Sequence, residues 1–354
     1  MDKKLRNEKK LLLLCNDLGK SIFSHGIDIL KEQYDVTIIN RPQLYPTDLK
    51  SAKYSPLRLI KSLTSLRRIQ KVDSDLLITI GETKFDKFLV FGYYQINAAI
   101  VRKVKHNNPN CETIIYFYDS FCRLNFSNDI KHFDKCFTFD REDAINYSIE
   151  YLPFYAEKYD NTLVTYDLCH IGSWSPGHLY RLPCLAKLSE DLEKHHLTSY
   201  FKCTYYDISN FTLFRRIIFK VRAMFNKEFS LYEILFRKYK NSKILTKNRT
   251  SYEEMLAIES SSRCIVEINA QRAGLSPRVI NALANGRKVI INNKCICDEI
   301  FYDENLVYII DERNPTFDIN FLFKESKNID MSDLFLQNWL SIILENKFNK
   351  YAIK

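Results

Sequence analysis

The chain is 354 residues long, 46% hydrophobic and 27% charged, with a formal net charge of +9. That length exceeds one comfortable core, and the composition excludes a disordered or fibrous chain, so two domains of ordinary size are expected. No apolar run nears the roughly 20 residues that cross a bilayer. The early candidate, Leu11–Cys15, is too short for a signal-peptide core and runs into Asn16 and Asp17.

In chain order, Lys10–Cys15 is a continuous apolar run, the pattern of a parallel strand buried on both faces. A helical pattern follows through Leu30. Further strands are predicted at Asp35–Asn40, Asp75–Gly81, Thr113–Tyr118 and Lys135–Phe139, with a helix over Val90–Val104. Strands separated by helical stretches imply right-handed crossovers and a parallel sheet. Tyr151–Tyr155 and the polar stretch Glu157–Asn161 read as an inter-domain connection. The pattern then restarts with a strand at Asp167–Ile171 that ends in a Gly172-Ser173 turn, and a helix over Tyr180–His195. Strands follow at Phe201–Tyr206, Lys243–Thr246, Cys264–Ile268, Lys288–Asn292 and Val307–Ile310, and a closing helix at Asp333–Phe348. The fold class is therefore α/β: two tandem, Rossmann-like, doubly wound domains with a cleft between them, since such sheets bind ligands beyond the carboxyl ends of their strands. The expected boundaries are 1–156, 157–330 and a C-terminal helix in 331–354 that packs back on the first domain.

Ten cysteines are scattered through the chain, and only Cys295 and Cys297 are close-spaced. No second pair or histidine cluster completes a zinc site, so no metal is expected and the thiols read as buried and reduced. A charge of +9 would suit nucleic acid, an anionic membrane or a phosphorylated substrate. No nucleic-acid-binding module is recognisable, so no nucleic acid is expected as a partner. The wealth of Lys, Asn, Ile, Tyr and Phe beside only 8 Gly also matches an AT-rich genome, which gives part of the charge no functional meaning.

The most distinctive stretch is Ile265-Val-Glu-Ile-Asn-Ala-Gln271, Gly274-Leu-Ser-Pro-Arg278, Ala282-Leu283 and Gly286-Arg-Lys-Val-Ile-Ile-Asn292, followed by Phe301-Tyr302-Asp-Glu-Asn305. It resembles the C-terminal signature of GT-B glycosyltransferases from bacterial capsule, O-antigen and lipopolysaccharide gene clusters. Fainter echoes lie in Tyr118-Asp119-Ser120, Phe139-Asp140-Arg-Glu-Asp143 and Ile171-Gly172-Ser173, so the resemblance runs through nearly the whole chain. It implies a metal-independent transferase with a nucleotide sugar as co-substrate, no other cofactor, and a glycan or glycolipid acceptor of the cell envelope. The chain departs from the family at Asn281, where a glutamate usually holds donor hydroxyls. Asparagine still hydrogen-bonds a hydroxyl but is neutral.

Sugar transfer from a nucleotide donor needs positive charge or oriented N–H groups where the leaving phosphate develops charge. Gly274, Ser276 and Pro277 fall at a strand-to-helix junction, with Ser276 as N-cap. Amides there, with Arg272 and Arg278, would form an anion site; an ordinary capped helix with surface arginines gives the same pattern. Glu267, at a strand end, is a candidate for donor hydroxyls with Asn281. Gly172, Ser173 and Arg181 are candidates for the diphosphate. On the acceptor side Asp119 is the first candidate base and Asp17 the second, although aspartate at such junctions also serves as a helix cap.

Two basic amphipathic stretches remain, Lys50–Lys71 and Phe211–Phe225. Each would rest on an anionic inner leaflet or pack on a sheet with a solvated outer face. The first lies in the acceptor half and is the expected membrane contact. Together these readings predict a cytoplasmic transferase, peripheral on the inner face of the plasma membrane. The alternative is a non-catalytic GT-B-like nucleotide-binding or scaffold protein of polysaccharide assembly.

Overall fold

The computed structural model describes residues 9–15, 23–40, 69–81, 83–92, 98–121, 130–160, 162–205, 217, 224–269, 274–327 and 329–353. The chain separates into two compact units, Met1–Phe154 with Leu336–Lys354, and Tyr155–Phe335. The divisions thus fall two residues before, and five residues after, the expected 156/157 and 330/331.

The first unit is built on strands β1 (Lys10–Cys15), β2 (Asp35–Asn40), β3 (Lys87–Phe91), β4 (Glu112–Phe117), β5 (Lys135–Thr138) and β6 (Glu150–Tyr151), ordered β2-β1-β3-β4-β5-β6. Every pairing is parallel. Beyond their first one or two residues the central strands are apolar and buried, as expected of strands covered on both faces; Leu11 to Cys15 are all 0% exposed. One expectation is corrected here. Residues 75–81 form the end of a helix over 69–81, not a strand. Leu76 and Ile80, one helical turn apart, are buried, while Leu77 and Ile78 face outward. The third strand is Lys87–Phe91, a segment read partly as helix from the sequence; the helix that follows is Ala98–Asn107.

Helix Leu336–Glu345 belongs to this first unit. Its Trp339 is fully buried, donates from Nε1 to the Pro153 carbonyl at 2.9 Å, and meets the Tyr116 ring edge-on at 4.8 Å. Phe23 and Phe91, stacked at 4.2 Å, complete the aromatic cluster. Both rings and the indole N–H are therefore satisfied inside the core.

The second unit carries β7 (Tyr166–Trp174), β8 (Ser199–Tyr205), β9 (Leu245–Thr246), β10 (Ser262–Glu267), β11 (Lys288–Ile291) and β12 (Val307–Ile309), ordered β12-β11-β10-β7-β8-β9 and again parallel. Strand order reverses between β7 and β10, the position at which doubly wound sheets open a crevice. Gly172 and Ser173 lie inside β7 rather than in a turn, because β7 stays paired with β8 as far as Trp174↔Tyr205. Helix Pro277–Ala284 ends with Gly286 at φ +67°, a left-handed position suited to glycine, and the Arg287 N–H closes on the Ala282 carbonyl at 2.8 Å. The stretch after Phe154 is not a solvated linker. Ala156 donates to the Leu334 carbonyl at 2.7 Å, and the side chains of Asn281 and Asn285 accept from the Glu157 and Tyr159 N–H groups.

Truncation Trp339→Ala removes the largest side chain of the aromatic cluster and should cost the first unit about 3–5 kcal/mol. Urea unfolding monitored in that unit measures it; a loss below about 1 kcal/mol would contradict the packing described.

Candidate functional site

β7 and β10 pair only as far as Cys169↔Ile265 and then part. Alternate carbonyls along the parted edges lose their strand partners, and buried carbonyls must find others. Side chains supply them. Arg181, 6% exposed, donates from Nε and Nη2 to the Ile268 carbonyl at 2.9 and 2.7 Å, and from Nη1 to the Ser173 carbonyl at 2.5 Å. Arg278 donates from Nη2 to the Ile171 carbonyl. His170, fully buried, is 2.7 Å through Nδ1 from the Val266 carbonyl. A carbonyl only accepts, so Nδ1 carries the proton and Nε2 is the bare nitrogen. Nε2 faces Gly172, where any Cβ would lie 2.7 Å from it. Gly172 is thus required by the histidine beside it.

Two carboxylates face the two guanidinium groups, both close on Arg278 and one more distant from Arg181. Arg278 Nε is 2.9 Å from Glu259 Oε1, Arg278 Nη1 contacts Glu267 Oε2, and Arg181 Nη2 is 3.8 Å from Glu267 Oε1. Glu259 also accepts from the Tyr159 hydroxyl at 3.0 Å. Burial alone would push both carboxyls up. For Glu267 the Arg278 and Arg181 charges outweigh burial and hold it below the usual range; for Glu259 burial wins and the carboxyl is raised. Burial, then Arg181 and Arg278, push His170 down to about 3, so it stays neutral. The buried thiols Cys169, Cys184 and Cys203 are pushed up to about 12 by burial, which leaves them unreactive.

Above this parting lies a cavity of about 240 Å³. Its wall is the loop Pro176–Arg181 after β7, Ile268 and Asn269 after β10, Asn292 after β11, Glu312 and Arg313 after β12, and Glu228. All of these follow strand carboxyl ends except Glu228, in the first turn of helix Lys227–Tyr239. Asn292 knits two of the ends together: its Oδ1 accepts from Asn269 N–H at 2.8 Å and its Nδ2 donates to the Asn269 carbonyl at 2.7 Å. The same Nδ2 donates to Glu312 Oε2 at 2.9 Å. The Arg313 guanidinium lies 5.2 Å from the centre of the Tyr180 ring, forming a flat cationic and aromatic face on the wall.

The structure brings Gly172, Ser173, Arg181, Glu267 and Arg278 together around the parting, and of these only Arg181 lines the cavity. Arg278 departs from its expected place as a free phosphate ligand. Nε, Nη1 and Nη2 each serve an internal acceptor, and its side chain is 16% exposed. Asn281 likewise turns inward: at 3% exposure its Oδ1 accepts from the Glu157 N–H at 2.9 Å, so it holds the incoming chain rather than facing the cavity. Ser276 occupies the N-cap position of helix Pro277–Ala284, yet its hydroxyl caps nothing and has no hydrogen-bond partner among the described residues. Gly274 is partly exposed at the approach to that helix. Arg272 and Asp17 lie outside the described residues, as does 50–68 of the first basic stretch and nearly all of the second. Residues that sequence reasoning missed are His170, Glu259, Tyr159 and Glu312, none of which stands in a motif.

In the first unit Asp119 follows β4, half-buried, with Oδ1 accepting from the Ser120 N–H at 3.0 Å. The turn is held by Asp143, which accepts from the Phe121 N–H at 2.7 Å and from the Ser120 hydroxyl. Burial pushes the Asp143 carboxyl up to about 6, and the Phe121 bond offsets part of that. Among the described residues no group of three or more His, Cys, Asp and Glu side chains is arranged to hold a metal, and no helix is long and apolar enough to cross a membrane.

No family model matches the sequence, and no curated protein matches it by sequence. Solved structures do resemble it in fold. The N-terminal domain of trehalose-6-phosphate phosphatase from Candida albicans superposes with a TM-score of 0.55 over 98% of both chains, at 10% identity. A structure described as trehalose-6-phosphate from E. coli, bound with UDP-2-fluoro glucose, matches with a TM-score of 0.51 over 97% of both chains, also at 10% identity. At such identity the likeness speaks to fold, and the fold is tandem α/β of GT-B type, each unit on a six-stranded parallel sheet.

Replacing Arg278 by Met strands two buried carboxylates and should cost about 3–5 kcal/mol at neutral pH. The deficit should shrink on acidification, because protonated carboxyls need no cation; equal deficits at pH 5 and pH 8 in chemical denaturation would disprove the pairing. Asp143 gives a second pH signature. Its raised folded value means the native state keeps a proton that the unfolded chain releases near pH 4, so this group's contribution is present below pH 4, declines up to about 6 and is level above. Asp143→Asn should therefore gain on wild type by about 1–2 kcal/mol between pH 4 and pH 7, read from paired unfolding curves.

Proposed function

We propose that this protein is a glycosyltransferase that takes a sugar from a nucleotide donor held in the second unit. The observation that carries the reading is the cavity at the strand-order reversal, walled by Arg181 and the loop Pro176–Arg181 and lying beyond the carboxyl ends of β7, β10, β11 and β12. Arg181 has five N–H groups and commits three bonds to carbonyls, which leaves donors for an anion above the parting. A charged donor fixed in a dry floor stabilises the negative charge that develops on a leaving phosphate without reorganising. Gly172 and Ser173 support the floor, and Gly274 with Ser276 open the helix after β10 as a second candidate wall. Glu267 and Arg278 act from beneath as positioning residues. A fold neighbour bound with UDP-2-fluoro glucose accords with a nucleotide-sugar ligand.

In this reading the bond between the sugar's anomeric carbon and the donor phosphate breaks, and a bond to the acceptor oxygen forms. Asp119 accepts the acceptor's proton, with Asp143 holding its turn; Asp17 is the alternative base. The acceptor is a glycan or glycolipid of the bacterial cell envelope, an assignment that rests on the sequence resemblance; the inner-leaflet contact rests on the basic amphipathic pattern of 50–71, and the cytoplasmic location on the scattered reduced thiols. Titration calorimetry across uridine, guanosine, cytidine and thymidine diphosphates and their sugars tests the reading. At least one should bind, protect the amides of 177–182 from exchange, and bind at least tenfold more weakly to Arg181→Lys. Asp119→Asn should leave that binding intact and lower transfer 10²–10⁴-fold. Failure of every nucleotide and sugar nucleotide to bind would sink the transferase.

A further inference from the structure

We propose that Glu312 is the hydroxyl-reading residue of this cavity: a carboxylate oriented by Asn292 to accept both O–H groups of a vicinal diol on the bound ligand. The proposal deepens the reading of the cavity as a nucleotide-sugar site and rests on it. Asn292 leaves β11 with its amide fully used, Oδ1 on the Asn269 N–H and Nδ2 shared between the Asn269 carbonyl and Glu312 Oε2. That network joins the ends of β10 and β11 and fixes the direction in which Glu312 points. No other hydrogen bond or ion pair engages Glu312 among the described residues. The adjacent Arg313 lies over the Tyr180 ring, 5.2 Å from its centre, and forms no ion pair with Glu312 among the described residues. A half-buried carboxylate with lone pairs to spare, on the wall of a cavity, seeks O–H or N–H donors.

Charge fixes which end of a ligand meets it. Glu312 repels a phosphate, whereas Arg181 on the same wall attracts one. Arg181 follows β7 but its guanidinium reaches the Ile268 carbonyl at the end of β10, and Glu312 follows β12 but its carboxylate is held by Asn292 at the end of β11, so the two groups stand over neighbouring strand ends, one spacing of about 4.8 Å across the sheet. A ligand with an anionic group over Arg181 and a hydroxyl-bearing ring near Glu312 meets both demands, and the Tyr180–Arg313 face offers a surface on which a planar ring stacks. Two parts of a sugar nucleotide carry a vicinal diol, the ribose and the transferred sugar, and the chemistry at Glu312 is the same for either.

The test uses the full chain and the variant Glu312→Gln. Glutamine still accepts the Asn292 bond, so the knot at the strand ends survives, but it lacks the charge and the second acceptor oxygen. Calorimetry compares uridine and guanosine diphosphates with their 2′-deoxy counterparts, and UDP with UDP-glucose. Glu312→Gln is expected to weaken the ligand that wild type binds by tenfold or more. If ribose is the diol, the loss appears with the ribonucleotide and vanishes with its 2′-deoxy form. If the transferred sugar is the diol, the loss appears only with the sugar nucleotide. Wild-type-like binding of all of these by Glu312→Gln overturns the proposal while leaving the cavity assignment standing. A wild type that binds no nucleotide overturns both.

Discussion

The second unit is organised around one unpaid hydrogen-bonding debt. Where β7 and β10 part beyond Cys169↔Ile265, carbonyls at Ile171, Ser173, Val266 and Ile268 face a gap instead of a strand. Leaving such groups bare costs several kcal/mol, on the order of 1–3 kcal/mol each. Side chains that carry N–H donors reach across, and two arginines and a histidine do so. Their charge then demands Glu259 and Glu267, and the histidine demands glycine at 172. A cleft in a parallel sheet thus dictates the identity of six residues before any ligand is considered.

This view explains why sequence and structure disagree about Arg278. Arginine next to a helix start reads equally as an anion ligand or as a surface charge. Neither reading foresees an internal acceptor, because Ile171 lies 107 positions away in the chain. Glu259 and Tyr159 were invisible for the same reason: their meaning arises only when the helix ending at Ser260, the strand after it and the incoming chain meet. Asn281 shows the complementary case. Its side-chain carbonyl accepts from the backbone N–H of Glu157, and nothing local announces that the helix bears on the chain entering the unit.

The architecture was far more legible. Runs such as Leu11–Cys15 and Cys264–Glu267 declare buried parallel strands through continuous apolar character, and most strand positions followed. The failure at 75–81 is instructive in physical terms. Seven residues with four large aliphatics satisfy a buried strand and one face of a helix alike, and length alone could not separate them. The structure separates them by burial: Leu76 and Ile80 point inward while Ile78 stays 58% exposed, whereas the alternation of a strand would set all three on one face. Of the candidate site, Arg181 and Glu267 were reachable because they follow or end strands, and Gly172 because it closes the apolar run of β7. Glu312 was not, since a lone glutamate after a short strand resembles any solvated loop.

One topological fact bears on how the molecule is made. The core of the first unit is closed by Trp339, which the ribosome delivers only after the whole of 155–335. The second unit is continuous in sequence and can complete its core while the first still waits for its last helix. During synthesis the aromatic face of Phe23, Phe91 and Tyr116 therefore stands uncovered for the time taken to translate some 180 residues, roughly ten to forty seconds at about 5–20 residues per second. Maturation of this protein accordingly runs against the order of its sequence, with the nascent amino-terminal half the stage at which a chaperone has most to shield.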